Sequence, residues 1–437
     1  DLQQRISKLR IPGKTSSNAF KNKELSLRDI ASELKVEAVI EAELMRYGDS
    51  IEMRFRLINV YPDEKPRWIN KYTEDKSKLL NIYSRLTKSI ADDLKIELSA
   101  EEENLLAETR TIHPDAMEAY LKGKAYWEKL DPESMQKALY NFELATQIEP
   151  EWADPYAGLA NAWGLFGMFE FLPKSETLPK KDKYLNKALH LNPNSAQVHY
   201  VKALNSVWTE WDWEQGEKDF LKTIQLNPND ALARLYYAHL LMILRRNTEA
   251  VEQANIGLEL DPLKPLVISL YAVVMQNEGK YKTSLFYFNK ALSIDPDYSF
   301  AKGNLLGSLY FEKEYEKWIK AWENKVRSNG RWNEEAITSV VNTFYENDHI
   351  AAIEEMFKMN EKYGNEGAFM SNGVKITRYL DIKNHEKALD LMDKISETKG
   401  LEPAYYGTNT YYYNELKDNP RYIALLKKLN LPIQSSD

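Results

Sequence analysis

The chain has 437 residues, 43% of them hydrophobic, which is more than one ordinary domain needs and enough for a large buried core. It contains no cysteine, which excludes disulfides, thiolate metal sites and cysteine nucleophiles. Its formal net charge of −8 does not suit the basic surface that phosphate neutralisation demands, so nucleic acid is not an expected partner. Apolar runs such as Ala272-Val273-Val274-Met275 are far shorter than the roughly 20 residues that span a bilayer. The chain begins at Asp1 without an initiator methionine or a signal-peptide pattern, so it is expected to be a processed chain or part of a longer one.

The first hundred residues predict a small α/β domain over 1–97. Leu27, Ile30, Ala31 and Leu34 have helical spacing, and Val36 to Leu44 is apolar enough for a strand. Gly48-Asp49 signals a turn, after which Ile51, Met53, Phe55 and Leu57 alternate with Glu52, Arg54 and Arg56, the period of a half-buried strand. Trp68 to Tyr72 would add a third strand, and Leu80, Tyr83, Leu86, Ile90 and Leu94 a second helix. Residues 98–114 have no glycine and no proline ahead of Pro114, and include Glu101-Glu102-Glu103-Asn104-Leu105-Leu106. They predict a helical connector that docks the α/β domain rigidly against the first repeat.

From 115 onward a short phrase recurs: Ile148-Glu149-Pro150, Leu191-Asn192-Pro193, Leu226-Asn227-Pro228, Leu260-Asp261-Pro262 and Ile294-Asp295-Pro296. The prolines lie 43, 35, 34 and 34 residues apart, the tetratricopeptide period with nine residues inserted in the first interval. Proline stops each helix, and stripes such as Ala138, Phe142 and Ala145 must be buried against a neighbour. The fold class expected is mainly α: a right-handed tetratricopeptide superhelix of about eight helical hairpins over 115–400, with a closing helix in 401–437. Units are expected near 115–150, 152–194, 195–229, 230–263, 264–297, 298–331, 332–366 and 367–400, the last three without the proline phrase.

Some segments also resemble a known architecture. Arg10-Ile11-Pro12-Gly13-Lys14-Thr15-Ser16-Ser17, Phe20-Lys21, Asp29 to Val36 and Trp68 to Tyr72 resemble a TolB-like (FlgO-like) N-terminal domain fused to tetratricopeptide repeats. Trp211-Asp212-Trp213 and the closing Asn419-Pro420-Arg421-Tyr422 are similar to phrases of the same proteins. The resemblance implies the sensory half of a bacterial signalling protein, whose effector (a nucleotide cyclase, winged-helix or kinase domain) lies elsewhere. The apolar strand usual before the first helix of that domain is not seen, so a truncated domain is expected.

No catalytic motif emerges, and an enzyme is not expected. The six histidines include no pair at the spacing of metal ligands on one helical face, and no glycine-rich phosphate loop occurs, so neither metal nor cofactor is expected. Function is expected on the concave surface, lined by the first helix of each hairpin. Asn161, Asn205 and His239 fall at one equivalent position in successive units, and an amide there offers both donor and acceptor to a peptide main chain. Trp163 and Trp208 lie near that row as aromatic anchors, with Met242 one turn beyond His239, whereas the resemblance implies that Trp211 and Trp213 pack at the turn between helices. The apolar insertion within 164–180, with Phe169, Phe171 and Leu172, is expected to fold back on the array or to join a binding site.

The resulting expectation is a cytoplasmic regulatory module that binds a protein or peptide, or a periplasmic one if a transmembrane helix precedes Asp1. A small-molecule sensor and a dimerisation scaffold are the alternatives.

Overall fold

The structure, a computed structural model, describes residues 9–20, 25–48, 50–75, 79–98, 103, 112–169, 171–364, 367–397, 405 and 410–433. Strands β1 (Ala38–Tyr47), β2 (Ser50–Asn59) and β3 (Lys65–Asp75) form an antiparallel sheet in that order. In its register Leu44 faces Met53, and Leu57 faces both Ile40 and Trp68. The helix Leu79–Asp93 covers one face, packing Ile82, Leu86 and Ile90 onto Ile51, Met53, Phe55 and Tyr72. The alternation of β2 is what places those apolar side chains on a single face. The helix Leu27–Leu34 opens with a capping box, in which Ser26 and Asp29 each bond the other's backbone.

Eight helical hairpins then follow among the described residues. Their helix pairs are 114–127 with 132–148, 153–168 with 174–191, 196–205 with 213–226, and 231–243 with 247–260. The remaining four are 265–277 with 281–294, 299–311 with 315–329, 334–346 with 349–363, and 372–381 with 385–397. A closing pair, Thr410–Leu416 and Pro420–Lys428, ends the array. The chain therefore has the expected tetratricopeptide superhelix.

Local chemistry explains the repeat. At Asn192, Asn227, Asp261 and Asp295 the backbone leaves helical geometry just before proline, and each residue's N–H still reaches the carbonyl four residues back. Small residues let the helices meet: a side chain at Gly158 would begin 2.7 Å from the Phe142 ring, and one at Gly257 only 1.7 Å from Leu235. The sixth and seventh hairpins keep the 34-residue step but stop at Gly330 and Gly364, whose φ angles are 63° and 60°. Their core, around Trp318, Trp322, Trp332 and Met356, is separate from the main one.

The eighth hairpin and the closing pair return to the main core through Ile376, Leu380, Met392, Tyr422 and Leu426. Trp213 Nε1–H donates to the Leu429 carbonyl at 3.0 Å, and the Arg245 guanidinium sits 3.5 Å above the Tyr413 ring. Trp213 is buried, the packing role expected for it. Across the opening, Glu128 of the first hairpin pairs with Lys264 at 2.7 Å, and its carbonyl accepts from the Tyr298 hydroxyl at 3.2 Å. The array thus curls back upon itself.

The α/β part meets the array at an unexpected place. Gly13 N–H donates to the Leu260 carbonyl at 2.7 Å, Arg10 Nη1 donates to the Glu259 carbonyl at 2.7 Å, and the buried Ser16 bonds Asp261. Among the described residues the fourth hairpin, not the first, holds the segment around 10–16. The physical reason is that the last carbonyls of a helix have no partner within it and stay open to donors from elsewhere. Apart from Glu103, the expected connector helix between 99 and 111 lies outside the described residues.

Candidate functional site

The first helices of consecutive hairpins present their inner faces to one chamber of 460 Å³. Asn161, Asn205, Trp208, His239 and Met242 all line it, brought together from the second, third and fourth hairpins. Gln276, Asn277 and Asn304 extend the amide row onto the fifth and sixth. Trp163 does not line it: half-buried, it lies under the Lys180 ammonium, 3.8 Å from the ring centre, and packs on Phe166. Two residues on from Asn161, it points about 200° away around the helix.

The chamber is closed from the far end of the chain, by Ser371, Gly373, Val374 and Thr377 of the eighth hairpin and by Tyr405. Trp208 stands in a π-helical turn, Ser206–Glu210, that ends where Trp211 adopts a φ of 58°. Such turns widen a helix locally and re-aim side chains. Here Trp208 Nε1–H donates to the Tyr405 hydroxyl at 3.0 Å, tying the third hairpin to the returning segment. Burial pushes the Tyr405 hydroxyl up to about 12, against the opposing effect of that bond.

Two of the expected peptide-binding residues are engaged within the protein. Asn205 accepts from the Lys181 ammonium and donates to Glu210, while Lys181, only 4% exposed, also lies 3.1 Å from Asp182 and 3.8 Å from Glu210. Lys181 is the one charged side chain among the described lining residues, and these carboxylates balance it.

His239 is 2% exposed, with Nε2 3.1 Å from the Leu270 carbonyl oxygen. A carbonyl can only accept, so Nε2 carries the proton and Nδ1 presents a lone pair. That Nδ1 has no partner among the described residues. Burial lowers the imidazole pKa to about 4, the Leu270 bond opposing, so the ring is neutral near pH 7.

The insertion folds back as expected. Phe171 N–H donates to the Phe166 carbonyl at 3.0 Å, the Phe169 and Phe171 rings lie 5.7 Å apart, and Phe169 reaches the chamber wall. Leu172, Pro173 and Lys174 border a second cavity of 510 Å³, shared with Asn372, Leu391 and Ile395 of the eighth hairpin. Lys181, Tyr236, Gln276 and Tyr405 were not singled out by sequence reasoning. Gln276 and Tyr236 belong to inner helices with recognisable spacing, whereas nothing local marks Tyr405. Among the described residues no group of His, Asp or Glu is arranged to hold a metal ion, and no helix is long and apolar enough to cross a membrane.

No family model matches the chain. A stretch of 151 residues is 26% identical to the transcriptional regulator HilA of Salmonella typhimurium, covering 34% of this chain and 27% of that protein. Another of 209 residues is 21% identical to putative adenylate cyclase 3 of Rhizobium meliloti, covering 47% of this chain and 35% of that one. Human tetratricopeptide repeat protein 6 is 23% identical over 180 residues, 40% of this chain and 32% of its own. Among solved structures, a human IFIT1 dimer with m7Gppp-AAAA is 14% identical with a TM-score of 0.45, covering 80% of this chain and 76% of that one. The pilF protein of Pseudomonas aeruginosa is 19% identical with a TM-score of 0.37, covering 48% of this chain and 91% of its own. The chain spans about a third of the length of these curated relatives, and its helical hairpins with their 34-residue step place it among tetratricopeptide-repeat folds.

Proposed function

We propose that this chain is a non-catalytic regulatory module that grips a peptide segment of a protein partner in the chamber and couples its occupancy to an effector on the same polypeptide. The carrying observation is the row of amides, Asn161, Gln276, Asn277 and Asn304, that the second, fifth and sixth hairpins turn toward one cavity, with Asn205 of the third already held by Lys181 and Glu210. A peptide main chain alternates donors and acceptors, and amides match both. The relatives named a transcriptional regulator and a putative adenylate cyclase support a signalling context, as does the TolB-like resemblance. A cytoplasmic setting belongs to the same reading.

Panning the full chain against a displayed library of random peptides tests the proposal, with calorimetry on the enriched sequences. The double variant Asn161→Ala/Asn304→Ala should bind them roughly tenfold more weakly, the effect of losing one or two hydrogen bonds, with unchanged helical circular dichroism. Absence of any enriched sequence would reject it. The closure of the chamber by Tyr405 and the eighth hairpin favours a second reading, a small-molecule sensor, since 460 Å³ falls in the range of small-ligand pockets. A metabolite that raises the melting temperature while no peptide binds would establish that reading instead.

A further inference from the structure

We propose that the chamber wall around His239 recognises an uncharged aromatic group bearing one hydrogen-bond donor, a phenol or an indole, whose O–H or N–H is placed on His239 Nδ1. The proposal rests on the reading that the chamber is the binding site, and it names the chemistry of what enters.

The argument begins with the unused acceptor. His239 lies on the chamber wall and is 2% exposed; Leu270 fixes its tautomer, and Nδ1 is left without a partner among the described residues. A buried acceptor without a donor is costly, and a ligand that supplies one removes that cost. The neighbourhood sets the shape of the group that carries the donor. Tyr236 lies 6.2 Å from the His239 ring and Tyr405 6.4 Å, the latter edge-to-face, while Trp208 meets Tyr236 edge-to-face at 5.5 Å. Aromatic walls at these spacings favour a further ring through offset and edge contacts.

Charge supplies the third constraint. No carboxylate lines the chamber among the described residues, so an ammonium ligand would be buried uncompensated. The one cation, Lys181, is already paired with Asp182 and Glu210, so an anionic ligand would have to displace an existing partner. A neutral ring with one polar hydrogen meets all three conditions. It could arrive as the tyrosine or tryptophan side chain of a partner's segment or as a free phenolic or indolic molecule, and the experiment separates these sources.

Calorimetric titration of the full chain with indole, with 1-methylindole and with the capped tripeptide Gly-Trp-Gly provides the test, on the wild type and on His239→Phe and His239→Gln. 1-Methylindole keeps the ring and lacks the N–H. Indole is expected to bind the wild type roughly tenfold more tightly than 1-methylindole, the difference one hydrogen bond makes. His239→Phe should abolish that difference while leaving 1-methylindole binding in place, which also shows that the variant is folded. His239→Gln, with a carbonyl acceptor and an N–H donor, should restore part of it. Tighter binding of the tripeptide than of indole assigns the group to a partner segment, and the reverse assigns it to a free molecule.

Equal binding of indole and 1-methylindole overturns the role of His239 but leaves the chamber a binding site. Failure of all three probes overturns the inference, while displayed peptides that still depend on Asn161 and Asn304 would uphold the underlying function. Failure of both experiments would remove both.

Discussion

The first five hairpins and the sixth and seventh perform the same architectural task with different chemistry. In the first five, helices end at an extended residue followed by proline, and small residues such as Gly158 and Gly257 let neighbouring helices touch. In the sixth and seventh, helices end at glycine with positive φ, and Trp318, Trp322, Trp332, Met356 and Met359 fill the space instead. The contrast teaches that a repeat can keep its length while changing what enforces it. In the first five hairpins close glycine contacts bring neighbouring helices together, and in the sixth and seventh bulky side chains form a core of their own.

If the two cores are energetically distinct, a mutation in one should leave the other standing. Trp318 is 1% exposed, and Trp318→Ala is expected to destabilise the second core by about 3–5 kcal/mol. Amide hydrogen exchange should show lost protection across 299–363 with protection of 114–294 retained, and uniform loss would merge the two cores into one cooperative unit.

Acid should strike the opposite region. His239, in the main core, has its pKa lowered from 6.5 to about 4 by burial. Above pH 6.5 the imidazole is neutral in the folded and unfolded chain alike, so it makes stability insensitive to pH there. As pH falls from 6.5 toward 4 the unfolded state binds a proton that the folded state refuses, and stability drops by roughly 3 kcal/mol in total. Urea titrations of wild type and His239→Phe at pH 7 and pH 4.5 should show this loss in the wild type only; an equal loss in both places the acid sensitivity elsewhere.

The smallest effect concerns helix ends. Gly330 has a φ of 63°, and Gly330→Ala should cost about 1–2 kcal/mol through backbone strain alone, since a side chain there meets nothing within 4 Å. Thermal melts that show no shift would mean that the sixth hairpin does not depend on its glycine stop.

Much of this was legible in the sequence. Proline spacing located the hairpins, and the β2 alternation located the sheet, because both patterns arise from local geometry that side chains alone encode. The same step continues through the expected units 298–331 and 332–366, where glycine instead of proline stops the helix at Gly330 and Gly364. Five of the six residues expected on the concave face line the chamber, since equivalent positions in stacked repeats must share a side. Trp163 failed that test for a reason visible beforehand, its angle from Asn161 around one helix. Closure of the groove by Thr377 and Tyr405 was not legible, because it joins segments far apart in the chain whose pairing no local pattern records. Nor was the burial of Lys181, which depends on the turn Ser206–Glu210 bringing Glu210 near.

Asp261 occupies a position where two duties coincide. It ends the outer helix of the fourth hairpin, whose inner helix carries His239 and Met242, and it accepts hydrogen bonds from the buried Ser16, while Ser16 Oγ accepts from Leu263 N–H at 2.9 Å. Burial raises the Asp261 carboxyl above its ordinary range, and the Lys264 charge together with the Ser16 hydrogen bonds opposes that cost. One hairpin is therefore both wall to the chamber and anchorage for the segment that opens the α/β part. Thermodynamic reciprocity gives that arrangement a definite meaning: whatever free energy an occupant uses to favour one posture of the hairpin, the anchored segment exerts in equal amount on the occupant.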